Sequence, residues 1–190
     1  MNKSKIGMVL LAISLSVSAP ALAQDPTAVT GTLSATDVGV SPISGQSASD
    51  YVNAAADGDN YEIASSRIAL SKTKNANVKS FARQMIADHT TTTQSLMAAL
   101  KNPDRTITKP SPKLSVANAS KIELLKKAPK ATFDQLYMQQ QMQAHQTAWA
   151  VHKGYVLDGN DPALKQVAST ALPIVERHIS TVKASNVAGM

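Results

Sequence analysis

The sequence predicts an all-α domain built around four long helices. Eight glycines are present, yet none falls between Gly58 and Gly154, which argues against a turn-rich β-sandwich. Core-compatible residues recur at alternating spacings of four and three, in Val78, Ala82, Met85, His89, Thr92, Leu96 and Ala99. The pattern returns in Leu164, Ala168, Ala171, Val175, His178 and Val182. Seams of this kind are what helical bundles bury. Breakers at Asn75, Pro103, Pro129 and Asn160 then divide the chain into pieces of long-helix length.

Taken in order, residues 1–23 read as a targeting segment. Lys3 and Lys5 precede an apolar run from Ile6 to Val17, and Ala21-Leu22-Ala23 places small residues at the cleavage positions. This is the pattern of a Sec-type signal peptide cut after Ala23, and the run is too short for a spanning helix. No later stretch approaches spanning length, so no transmembrane span is expected in the mature chain. Residues 24–46, rich in Thr, Ser, Gly, Val and Pro, read as a flexible leader.

A bundle domain is expected over 47–186, with a short tail at 187–190. Its first helix should open at Ser47, paired with Asp50, and reach Lys74. The second should run from Ala76 to Lys101 and stop before Pro103. A long connection containing Pro103, Pro110 and Pro112 should carry a short extra helix over 115–127. Thr132 with Gln135 predicts a capping box for the third long helix, ending near Leu157. Asp161 as N-cap and Pro162 at the first helical position open the fourth, ending near Lys183 and interrupted by a kink at Pro173. The short first and last joints make antiparallel hairpins, and the connection of about 30 residues between them can cross the length of a bundle.

Composition excludes more functions than it suggests. The absence of cysteine removes disulfides, thiolate metal sites and iron–sulfur clusters. The net charge of +6 is not concentrated: Lys126, Lys127 and Lys130 form the one dense cluster, without interleaved aromatics, so nucleic acid is not an expected partner. No Gly-x-Ser-x-Gly elbow and no phosphate-binding glycine loop occurs, and no catalytic residue is singled out.

What stands out is one ligand-capable side chain near the middle of each long helix: Glu62, His89, His145 and His178. At about 1.5 Å per residue, Glu62 and His89 lie about 20 Å from the first joint, and His145 and His178 about 22–27 Å from the last. All four therefore fall near mid-bundle. Three imidazoles and one carboxylate suit a single Zn, Fe or Mn ion, with Asp88, Asp134, Tyr137 and Glu176 as candidate outer partners. The alternative is a buried polar network in which the histidines are satisfied by Glu62, Ser66 and Thr92. Glu62 and His145 lie on the flank of their seams, and His152 is expected at the surface. A sulfur-based copper site using Met85, Met138 and Met142 with His89 and His145 has less support, because methionine at helical spacing is ordinary core filler.

Several segments resemble a known family. Asp59-Asn60-Tyr61-Glu62-Ile63, Asn77 to Ala82 and Met85-Ile86-Ala87-Asp88-His89 look like its first hairpin. Phe133-Asp134-Gln135-Leu136-Tyr137, Gln141, Ala144-His145, Leu172-Pro173 and His178 look like its second. The family is the ferritin-like bacterial domain of unknown function 4142, whose members are often labelled exported or outer-membrane proteins; the resemblance covers residues 48–184. It implies a ferritin-like four-helix bundle in the periplasm or at the outer membrane, and no established reaction. Di-iron ferritin-like proteins carry Glu-x-x-His on two helices, whereas Ile86, Met142 and Val175 stand three residues before the histidines here. Ferroxidase chemistry is thus not expected. The expectation is an exported, non-enzymatic envelope protein of unknown role, for which fold analogy alone suggests stress tolerance or metal handling. Its rivals are a metal-dependent oxidoreductase using the mid-bundle residues and a module that binds an envelope partner.

Overall fold

A computed structural model describes residues 32–101 and 106–187, and among them the secondary structure is entirely helical. The signal-peptide expectation, the first part of the leader and Pro103 lie outside the described residues. The helices are α1 (Ala35–Val38), α2 (Ala48–Lys72), α3 (Ala76–Ala99), α4 (Val116–Lys127), α5 (Lys130–Asp158) and α6 (Pro162–Val187).

Local chemistry accounts for most boundaries. Ser47 Oγ accepts from the Asp50 amide at 3.1 Å and opens α2. Asn75 Oδ1 accepts from the amides of Asn77 and Val78, so one side chain caps α3 immediately after α2 ends. Asp161 Oδ1 accepts from Leu164 N at 3.0 Å, with Pro162 in the first turn of α6. The helix continues through Pro173 and ends at Val187, beyond the expected Lys183. The Thr132–Gln135 capping box does not form. Pro129, with its φ already at −60°, introduces α5 at Lys130, and Thr132 donates back to the Pro129 carbonyl.

The long helices form a closed ring of neighbours, α2–α3–α6–α5. Asp59 meets His89 while Ala69 packs with Val78, so α2 and α3 are antiparallel. Tyr51 meets His152 while Ser66 meets Tyr137, so α2 and α5 are antiparallel as well. Asp88 meets His178 while Val78 packs with Val182, which makes α3 and α6 antiparallel. Helices α2 and α6 therefore run one way and α3 and α5 the other. The short α4 lies against α2 and α5 within the long connection.

The core is apolar at both ends and polar in the middle. One end holds Tyr51, Leu96, Val151, Tyr155 and Leu164, with the Tyr51 and Tyr155 rings stacked at 4.2 Å. The other holds Val78, Phe81, Met85, Leu125, Phe133 and Tyr137. Between them lie Asp59, Glu62, His89, His145 and His178, all buried. Burial of the aliphatic and aromatic ends is the main favourable term, and it holds the polar layer out of water.

The segment 32–46 departs from the flexible leader expected there. Thr32 N and Leu33 N donate to Glu176 at 2.6 and 3.2 Å, Ile43 N donates to Ala150 O at 2.9 Å, and Gln46 Nε2 donates to Val151 O at 2.9 Å. Val38, carried by this strap, is buried against Trp149, Leu172, Val175 and Ile179. Close approach requires Gly154: a Cβ there would stand 1.8 Å from the Ile43 carbonyl oxygen.

Candidate metal centre

Each long helix contributes to the mid-core layer. Asp59 and Glu62, three apart on α2, share one face, and His89, His145 and His178 arrive from α3, α5 and α6. Ring nitrogens of the three histidines lie within 4.8 Å of one another, as do ligand atoms of Asp59, Glu62 and His89. All four residues expected at mid-bundle thus come together. Glu62 and His145, placed on the flank by their register, point inward and are 1% and 0% exposed.

The contacts specify which atoms are engaged. His89 Nδ1 lies 2.8 Å from Asp59 Oδ1 and 3.2 Å from Glu62 Oε2. Thr92 and Thr93 donate to Asp59 Oδ2, each at 2.9 Å, and so fix that carboxylate. His145 Nδ1 lies 2.7 Å from the Gln141 carbonyl, which can only accept, so this nitrogen carries the proton. His178 Nε2 lies 2.8 Å from Asp88 Oδ2, which also receives Gln84 Nε2 at 2.7 Å and Arg177 Nη2 at 3.0 Å. Burial would raise the Asp88 pKa, but these hydrogen bonds outweigh it and hold the group below its ordinary value. A carboxylate at that distance requires Nε2–H as donor. The remaining nitrogens, His145 Nε2 and His178 Nδ1, face each other at 3.0 Å.

Charge distribution reinforces that assignment. Burial, with the nearby His89 and His178, pushes the His145 pKa well below its usual value. Burial and His89 push His178 to about 4 despite Asp88. Both rings are neutral at pH 7, so two imidazole lone pairs confront each other in a dry interior. Burial also opposes charge on His89, but Glu62 and Asp59 outweigh it and lift its pKa to about 9. Glu62 is pushed up to about 7 by burial, with His89 opposing. Glu62 Oε1, 3.3 Å from His145 Nε2, and His89 Nε2 are buried without a hydrogen-bond partner.

Of the expected outer partners, only Asp88 takes that position. Tyr137 instead pairs with Ser66 at 2.8 Å. Glu176 faces away toward the strap and accepts from Trp149 Nε1 at 3.0 Å as well as from Thr32 and Leu33. Asp134 sits near the start of α5, about 16 Å along the helix from His145, with Oδ1 buried and unpartnered. Asp59 joins the layer without having been expected there, although its i,i+3 relation to Glu62 places it on the same helix face. His152 is buried rather than exposed, because Tyr51 Oη reaches its Nδ1 at 3.1 Å from α2. Met85 and Met138 pack in the apolar cluster with Phe81 and Tyr137, and Met142 is partly buried at its edge.

Fold and site together define a helical protein with a buried histidine–carboxylate centre. Residues 34–184 match the domain of unknown function DUF4142, and the chain belongs to that family. The match begins at Ser34, within the strap, and leaves Thr32 and Leu33 outside it. No curated protein and no solved structure shows a significant match. Among the described residues, no helix is long and apolar enough to cross a membrane.

Proposed function

We propose that this chain is an exported metal-binding protein of ferritin-like topology, holding one transition-metal ion through His89, His145, His178 and Glu62. The observation that carries the reading is the pair of facing lone pairs, His145 Nε2 and His178 Nδ1, at 3.0 Å. A network serving stability alone would place a proton between them, whereas both protons are committed outward to Gln141 and Asp88. A cation at metal–nitrogen distances of about 2.0–2.1 Å holds two nitrogens about 2.9–3.4 Å apart for coordination angles between right-angled and tetrahedral. The Glu62 Oε1 to His145 Nε2 distance of 3.3 Å falls in the same window. Outward acceptors on each imidazole are the usual companions of metal-bound histidine.

Helix directions with a single long crossover support the ferritin-like assignment. The ligand set does not support ferritin chemistry, because the bridging glutamates of a di-iron site have no counterparts beside these histidines. Three nitrogens and one oxygen suit Zn, Fe or Mn. Methionine sulfur lies within the apolar cluster, which weakens the copper reading. The signal-like residues 1–23 support export, and with it a role in envelope metal handling or stress tolerance.

The test is metal analysis of protein purified without chelator. About one ion per chain is expected, retained by the wild type and lost in His145→Ala and His178→Ala. Metal bound only to the folded state at 100 times its Kd adds about 2.7 kcal/mol, so chelation should lower the melting temperature by about 5–11 °C. Substoichiometric metal in every preparation, with melting indifferent to chelator, would refute the site. Mature protein beginning at Gln24 is the expected result for export; a retained Met1 on envelope-localised protein would oppose cleavage.

A further inference from the structure

A cavity of about 150 Å³ lies between α2, α4 and α5, and its lining includes both Asp59 and Glu62. It touches the polar layer on the carboxylate side, away from the Asp88–His178 contact. Glu62 is 1% exposed, and its Oε1, on the His145 side, is buried without a hydrogen-bond partner, so the cavity borders a residue that also faces the histidines. Lys121 contributes a cation to the wall, 5.4 Å from the centre of the Tyr61 ring. Asp57 is held at the rim, where it accepts from Ser115 N and Asn118 Nδ2, each at 2.8 Å, and ties the start of α4 to α2.

Gly58 gives a second, independent indication. Glycine inside a helix is about 1 kcal/mol less favourable than alanine, yet nothing lies within 4 Å of where its Cβ would stand. No close backbone approach requires a glycine here. Its missing side chain leaves space in the wall of the cavity that leads to Glu62.

We propose that this cavity is the route by which a small inorganic ligand reaches the bound metal, so that the ion keeps an exchangeable coordination position. The inference rests on the metal-site reading above. Its volume bounds the ligand: organic-substrate pockets are about 300–1,000 Å³, whereas a cavity of about 150 Å³ holds a few waters or one molecule no larger than about benzene, which leaves room for a small inorganic ligand. Oxygen or nitrogen donors, such as peroxide or azide, suit a metal already held by nitrogen and oxygen.

Cobalt(II) loaded into the metal-free protein reports both steps separately. The visible cobalt bands monitor occupancy of the site, and their change on adding azide monitors access. Wild-type protein should bind one cobalt and shift its bands with azide. Gly58→Ala should behave alike, while Gly58→Leu, which fills the cavity, should bind cobalt normally and weaken the azide response at least tenfold. Normal cobalt bands that ignore azide in the wild type would overturn the access route and leave the metal site standing. An equal azide response in Gly58→Leu and wild type would also overturn it. Absence of cobalt bands would remove the metal site and the route together.

Discussion

Replacing Asp88 with Asn separates a residue that positions a ligand from one that is a ligand. Asp88 Oδ2 alone receives His178 Nε2, Gln84 Nε2 and Arg177 Nη2, at 2.8, 2.7 and 3.0 Å. An asparagine oxygen can occupy the same place, so the geometry survives and only the charge is lost. That charge makes the His178 ring more basic and its Nδ1 a stronger donor toward a metal. Loss of such outer partners weakens metal binding by about 10–100-fold, or about 1.4–2.8 kcal/mol. Competition with a chelator of known affinity should therefore show weaker binding at unchanged stoichiometry of about one. Arg177, whose side chain is 56% exposed in its pair with Asp88, should matter less: Arg177→Gln should cost under about fivefold, the range of a surface ion pair. Asp88→Asn affinity within twofold of wild type would refute the positioning role. Loss as complete as in His178→Ala would make Asp88 itself a ligand.

Three further outcomes are open to direct measurement. Gly58→Ala should stabilise the metal-free protein by about 0.5–1 kcal/mol in urea titration, since the helix gains propensity and the methyl meets open space. Metal-free protein should lose stability in acid through His152, whose pKa burial depresses to about 4. The unfolded chain binds that proton below pH 6.5, the folded chain only near 4, so the contribution is full above 6.5, falls by about 2 kcal/mol at pH 5 and should vanish from the pH profile of His152→Gln. Glu176→Gln replaces one acceptor oxygen with an amide that confronts a backbone N–H; a loss of about 2–4 kcal/mol should accompany faster proteolysis within 32–46, and unchanged cleavage would count against the strap.

The helices and the convergence of four ligand-capable residues were legible because both depend on register, which spacing alone records. Asn75 and Asp161 were readable for a similar reason: capping is a local hydrogen bond between near neighbours. What escaped reading depends on partners distant in the chain. His152 is buried because Tyr51, on another helix, covers it. Residues 32–46 have the composition of a linker, and their order comes from backbone amides that find Glu176 and Ala150. Thr132 looked like a cap because the local pattern fits one, but Pro129 had already set the helical entry.

The strap also fixes the position of Thr32 on the domain. Glu176, which anchors Thr32, is about 21 Å from the start of α6, a helix about 39 Å long. Thr32 therefore lies at the waist of the helices, along the α5–α6 side, and not at a pole. A probe or tether joined there would hold the domain by its flank, with the mouth of the Gly58 cavity on another face and left clear for solvent.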